Sequence, residues 1–184
     1  MARFLRVSTS PVWMFMALIF LSVIPSSICR ILNENDLKHI CLKTSNPFAC
    51  LDQFKSDNRS RNTDEKGLAE IAVDLAMKNA NETHAVYNEL YSRTNDYRLQ
   101  EKYMSCSKNY NDAIRDLEEM KYELNNNRTK LIHVEINDAL QEVNTCIRAF
   151  ERDQIDPVKM DFANERFKLL CDMVKIAAES LVQK

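Results

Sequence analysis

Residues 99–150 read LQEKYMSCSKNYNDAIRDLEEMKYELNNNRTKLIHVEINDALQEVNTCIRAF. Apolar side chains recur in alternating steps of three and four on either side of the polar run Asn125-Asn126-Asn127. Before the run they are Leu99, Tyr103, Cys106, Tyr110, Ala113, Leu117, Met120 and Leu124. After it they are Ile132, Ile136, Ala139, Val143, Cys146 and Phe150. A helix that buries one stripe has this spacing. Three successive asparagines mark a break, because their side chains favour turn geometries over helix. The stretch therefore predicts two helices folded back on one another. In such a hairpin, residues equidistant from the turn face each other. Cys106 and Cys146 are equidistant from Asn126 and lie in their own stripes, so the spacing predicts a disulfide between them, which needs Cα atoms about 4.4–6.8 Å apart.

The pattern continues on both sides. Ala163, Phe167, Leu170, Val174, Ala177 and Leu181 keep the same step and predict a further helix. Leu68, Ile71, Ala72 and Leu75, then Val86 and Leu90, give a looser one across the polar stretch Asn79–Thr83. Asp64 is placed to cap the first of these four helices, Asn95-Asp96 separate it from the second, and Asp156-Pro157 open the last with proline in its first turn. Four long helices with short joints predict an all-α, up-down-up-down four-helix bundle over residues 63–184. Ahead of it, residues 30–62 read as an extension of two short helices joined at Thr44–Pro47. Cys41 and Cys50 are equidistant from that joint and predict a second disulfide. Cys171 lies one residue off its stripe and is expected to be a buried, unpaired thiol.

Composition agrees with this class. Of 184 residues, one is glycine and four are proline. Sheet-rich folds and glycine-built phosphate cradles need many more turn formers. The formal net charge of −2 carries no nucleic-acid footprint. The histidines (His39, His84, His133) form no H-E-x-x-H motif, and the cysteines have no CxxC spacing, so neither a metal nor another cofactor is expected. A nucleophile elbow cannot be built around Gly67 alone. The carboxylates fall on solvated helix faces. The expectation is a binding protein and not an enzyme.

The chain also carries an address. Arg3 and Arg6 precede the apolar run Val12–Ile24, which ends at Pro25-Ser26-Ser27. This is the pattern of a secretory signal peptide over residues 1–29, cut between 26 and 29. The run is short for a membrane span of about 20 residues, so no membrane association is expected after cleavage. Sequons at Asn58, Asn81 and Asn127 fit an oxidising, glycosylating route.

Several local patterns resemble the plant invertase and pectin methylesterase inhibitor family. They are Ile40-Cys41-x-x-Thr44-x-x-Pro47-x-x-Cys50, then Asp57-x-Arg59-Ser60 before Gly67-Leu68. They continue with Tyr103-x-x-Cys106-Ser107-x-x-Tyr110-x-Asp112-Ala113-Ile114, Thr145-Cys146-x-x-x-Phe150 and Leu169-Leu170-Cys171-Asp172-x-Val174. The likeness spans about residues 37–181 and is strongest to the pectin methylesterase branch. It implies one inhibitor domain with the two disulfides above. It also implies a secreted or vacuolar protein that reversibly covers the substrate cleft of pectin methylesterase in a one-to-one complex. Acid invertase, a β-fructofuranosidase, is the alternative target, and a non-inhibitory secreted helical binding protein is a third reading.

In the esterase branch the contact face lies on the second and third bundle helices, and Thr145 matches a contact position there. Lys108, Asn109, Asn111, Asp112, Asp138, Gln141 and Arg148 are the neighbouring candidates. Where the branch often carries acidic residues after its second- and third-helix cysteines, this chain has Lys108, Ile147 and Arg148. The small residues common before the third-helix cysteine read Asn137-Asp138-Ala139. The Pro-Lys-Phe tripeptide of some invertase inhibitors is absent.

Overall fold

A computed structural model describes residues 30–151 and 160–182. The signal segment 1–29, with Cys29, and the Asp156-Pro157 helix start lie outside the described residues. Six α-helices follow one another: α1 Glu34–Cys41, α2 Pro47–Ser56, α3 Glu65–Arg93, α4 Tyr97–Asn125, α5 Ile132–Glu151 and α6 Asp161–Val182. Short 3-10 turns at Asn58–Asn62 and Thr129–Leu131 precede α3 and α5. Among the described residues there are no strands, and no helix is long and apolar enough to cross a membrane.

Local chemistry sets the boundaries. Asn33 caps α1 in a reciprocal box with Asp36, and Asn46 with Pro47 opens α2. The Asp64 carboxylate accepts from Gly67 N–H at 2.7 Å, and Asp96 accepts from Arg98 and Leu99 N–H. A Cβ at Gly67, the one glycine, would run into the Thr63 hydroxyl. The α4 helix ends with Asn127 at φ 56°, the left-handed conformation that asparagine tolerates. Its N–H donates to Leu124 O and that of Arg128 to Glu123 O, so two terminal carbonyls are satisfied.

The long helices form a ring, α3–α4–α5–α6, in which each packs on its two chain or ring neighbours; α5 and α6 share the sparsest contact. The α4 and α5 stripes point inward as their period requires. Tyr103, Cys106, Tyr110, Ala113, Leu117, Met120 and Leu124 are buried, as are Ile132, Ile136, Ala139, Val143, Cys146 and Phe150. Each large side chain removed from water contributes roughly 1.5–3 kcal/mol. The Cys106–Cys146 bond joins these helices with Cα atoms 4.7 Å apart, and Cys41–Cys50 joins α1 to α2 at 5.6 Å. Cys171 is a buried free thiol, and burial pushes its pKa up.

Two features differ from the periodic reading. On α3 the inward stripe runs through Leu68, Ala72, Ala76, Asn79, Ala80, Thr83 and Tyr87, while Val86 is exposed and Leu75 and Leu90 are only half-buried. The Thr83 hydroxyl can turn inward because it donates to Asn79 O, and across the same core Tyr110 OH of α4 donates to the buried Asn164 Oδ1 of α6 at 2.7 Å; the buried Asn79 Oδ1 has no such hydrogen bond among the described residues. Tyr87 packs within 6.4 Å, ring to ring, of Tyr103, Tyr110 and Phe150. The other feature is the α1–α2 hairpin, whose Cys41, Cys50 and Phe54 belong to the same core as the bundle. It is tied to α6 by Ser45 N–H on Asp172 Oδ2 (2.7 Å) and by Arg166 Nη2 on Gln53 Oε1 (3.1 Å).

Candidate functional site

The residues singled out from sequence converge on the outer surface of α4 and α5. Their stripes bury every third or fourth residue, so the residues between are turned outward. Lys108 and Asn111 on α4, and Asp138, Gln141, Thr145 and Arg148 on α5, are exposed. Asp112 is half-buried between two cations, with Lys108 Nζ at 2.7 Å and Arg115 Nη1 at 3.0 Å. The Lys108 hydrogen bond above all, helped by the charge of both cations, holds the Asp112 carboxyl below its usual range against the opposing cost of burial. Thr145 Oγ1 donates to Gln141 O at 2.9 Å and accepts from Arg148 Nη2 at 3.3 Å. The hydroxyl is thereby fixed on its helix while the side chain stays exposed. Ser105, Thr145, Arg148, Ala149 and Glu151 line a shallow concavity of about 530 Å³ where α4 begins and α5 ends.

Asn109 is the exception. It is 6% exposed and cannot touch a partner through its side chain. With the amide oriented so that donors meet acceptors, its nitrogen donates to Glu142 Oε2 (3.1 Å) and its oxygen accepts from Cys146 N–H (3.2 Å). It lies three residues past Cys106, on the flank of the stripe that faces α5, and bridges the two helices beside the disulfide.

The periodic reading also passed over a strip of carboxylates along the α4–α5 seam. Asp116 is pushed up to about 6, first by burial and then by Asp138, Glu142 and Asp112, with Arg115 opposing. Glu135 is raised by burial and by Glu119, Asp116, Asp138 and Glu123. Glu123, buried at the far end of the strip, is met by Arg128 Nε at 2.7 Å. The midpoint that pairs Cys106 with Cys146 also sets Asp116 against Ile136, beside Glu135, so this signal was available in the numbering. Among the described residues no group of three or more His, Cys, Asp and Glu side chains could hold a metal ion. The exposed groups of the face offer hydrogen-bonding atoms and charge.

Residues 35–177 match the family described as "Plant invertase/pectin methylesterase inhibitor". The chain belongs to that family. A "Pectinesterase inhibitor" of Actinidia deliciosa is 33% identical over 149 residues, covering 80% of each chain. A "Cell wall / vacuolar inhibitor of fructosidase 2" of Arabidopsis thaliana is 28% identical over 145 residues, 77% of this chain and 81% of the relative. The fold matches the crystal structure of a mutant pectin methylesterase inhibitor from Arabidopsis with a TM-score of 0.70 at 23% identity, covering 78% of this chain and 95% of the other. The bundle with its helical hairpin is thus the architecture of this inhibitor family, and the α4–α5 surface is its second- and third-bundle-helix face.

Proposed function

We propose that the chain is a secreted inhibitor of pectin methylesterase that blocks the enzyme's substrate cleft reversibly, one to one, with the α4–α5 face. The observation that carries this reading is 33% identity to a pectinesterase inhibitor across 80% of both chains. The geometry supports it. A disulfide and the Asn109 bridge brace the two helices, so little ordering cost remains for association. The face offers fixed polar groups, Thr145 and the Lys108–Asp112–Arg115 cluster, to an enzyme surface shaped for a polysaccharide. Exclusion of pectin is steric, and the inhibitor performs no chemistry. The signal pattern of residues 1–29 supports delivery to the cell wall, where acidity brings the Asp116 carboxyl, raised to about 6, into its titrating range.

The test is a titration of the oxidised protein against a plant pectin methylesterase and a plant acid invertase, at acidic and at neutral pH. Stoichiometric loss of esterase activity alone is expected. Thr145→Trp, which places a large ring on an exposed position, should weaken that inhibition by about tenfold or more, roughly 1.4 kcal/mol. Unchanged inhibition by the tryptophan variant would remove the α4–α5 face from the mechanism. Inhibition of the invertase alone would move the chain to the fructosidase-inhibitor branch.

A further inference from the structure

The sequons at Asn58, Asn81 and Asn127 are scattered in sequence but lie together in the fold. All three asparagines are exposed, and each is tied to α3. Asn58 opens the 3-10 turn whose next residue, Arg59, pairs with Asp74 of α3 at 2.7 Å. Asn127 sits in the α4–α5 turn but leans back to α3, where Lys66 Nζ donates to its Oδ1 at 3.0 Å. Asn81 is on α3 itself, and facing contacts between α3 and α4 locate it. Asp74 pairs with Lys121 at 2.7 Å, and Ser107 Oγ donates to Asn88 at 2.6 Å. These two pairs share one midpoint, and Asp74, Asn81 and Asn88 recur at heptad spacing. Asn81 is therefore opposite Ile114, on the outer ledge of the α3–α4 groove. Its near neighbours on the helix, Lys78 and Glu82, are well exposed. Its Nδ2 donates one hydrogen to Met77 O at 2.8 Å and has a second to spare.

In the ring of helices α3 stands diagonally across from α5. We propose that Asn58, Asn81 and Asn127 are N-glycosylated and that the sugars clothe the α3 side, leaving the α5 side bare for a protein partner. In the modification, each Asn Nδ2 attacks the anomeric carbon of a lipid-pyrophosphate-linked oligosaccharide. The C–N bond forms, the C–O bond to pyrophosphate breaks with its electron pair leaving on the lipid pyrophosphate, and the amide proton passes to a base of the transferase. The reaction precedes folding, so the burial of Thr83 and Ser60 in the folded sequons does not oppose it. Three glycans on one side make that side hydrophilic and sterically closed, and association is confined to the remainder of the surface. The glycan positions stand without the inhibitor reading; the bare docking side rests on it.

Secretion from plant cells followed by enzymatic release of N-glycans in heavy-oxygen water tests the map, because each released site becomes a labelled aspartate. Label at Asn58, Asn81 and Asn127 is expected, and an unlabelled Asn81 in the secreted protein would overturn the proposal. A second arm tests the sidedness. Removing the sequons by Asn58→Gln, Asn81→Gln and Thr129→Ala should leave esterase inhibition within about twofold. Glu135→Asn with Asn137→Thr builds a sequon on α5 at positions outside the core. Its glycosylated form should inhibit at least about tenfold more weakly than the same variant made without glycans in bacteria. Equal inhibition by the two forms would sink the bare-side inference. A natural protein that carries the three labels yet inhibits no esterase would leave the map standing and refute the inhibitor reading instead.

Discussion

Replacing Cys106 and Cys146 together by alanine opens a loop of 40 residues' separation. On the chain-entropy relation, closing a loop of that length is worth about 3.9 kcal/mol at 25 °C. The same relation gives about 2.6 kcal/mol for Cys41–Cys50, whose separation is 9. All four sulfur-bearing residues are at most 1% exposed, so both double variants also lose contacts of similar size and the difference between them isolates the loop term. Urea unfolding followed by helical circular dichroism reads the effect directly. With a denaturant slope of about 2 kcal/mol/M, the midpoint should fall by about 2 M for the 106–146 pair and by about 1.3 M for the 41–50 pair. The order matters more than either value. If Cys41→Ala with Cys50→Ala cost as much as Cys106→Ala with Cys146→Ala, loop closure would not be what the long bridge contributes. At temperatures where the 106–146 variant remains folded, its inhibition should also weaken, because the face it braces must then be ordered at the partner's surface.

Two further outcomes concern the core and the acidic strip. Tyr110→Phe removes the hydroxyl that donates to Asn164 Oδ1 and leaves that buried oxygen without its partner; a loss of about 1–3 kcal/mol in urea unfolding is expected, and adding Asn164→Ala should cost little more. Asp116 has a folded pKa raised from 3.8 to about 6, so its contribution to stability is full below about pH 4 and is lost as pH rises through 6. Asp116→Asn should therefore be neutral near pH 4 and stabilising at pH 7, by about 1 kcal/mol after discounting for solvent screening. If the variant's advantage over the natural chain grew on acidification instead, the sign of the argument would be reversed.

Much of the architecture was written in the numbering of the chain. The α4 and α5 stripes and both disulfides followed from period and midpoint, because side chains on those seams are apolar and the turns between them are marked by asparagine or proline. The α3 helix was only partly legible. Its inward face is lined by Asn79 and Thr83, and a pattern built on hydrophobicity cannot see Thr83 turning inward, because the carbonyl its hydroxyl meets, one turn away, is presented only once the helix exists. The same blindness put Asn109 on the surface. Its position beside Cys106 places it at the helix interface, but its chemistry suggests solvent, and only the facing Glu142 and the Cys146 N–H reconcile the two. The carboxylate strip was missed for the opposite reason. Each of its members looks like an ordinary solvated residue on its own helix, and their mutual influence arises across the α4–α5 seam.

The unequal seams of the ring have a mechanical consequence. The α4 and α5 helices are joined along their length and riveted by a disulfide, whereas α5 meets α6 only lightly. The α3–α4 and α4–α5 seams are the densest of the ring, so the bundle parts most cheaply between α5 and α6. A surface shared by two helices would ordinarily blur as they slide past each other. Here the disulfide and the dense α4–α5 seam hold the two halves of the candidate face at one spacing, so parting at the α5–α6 seam leaves the printed pattern unchanged.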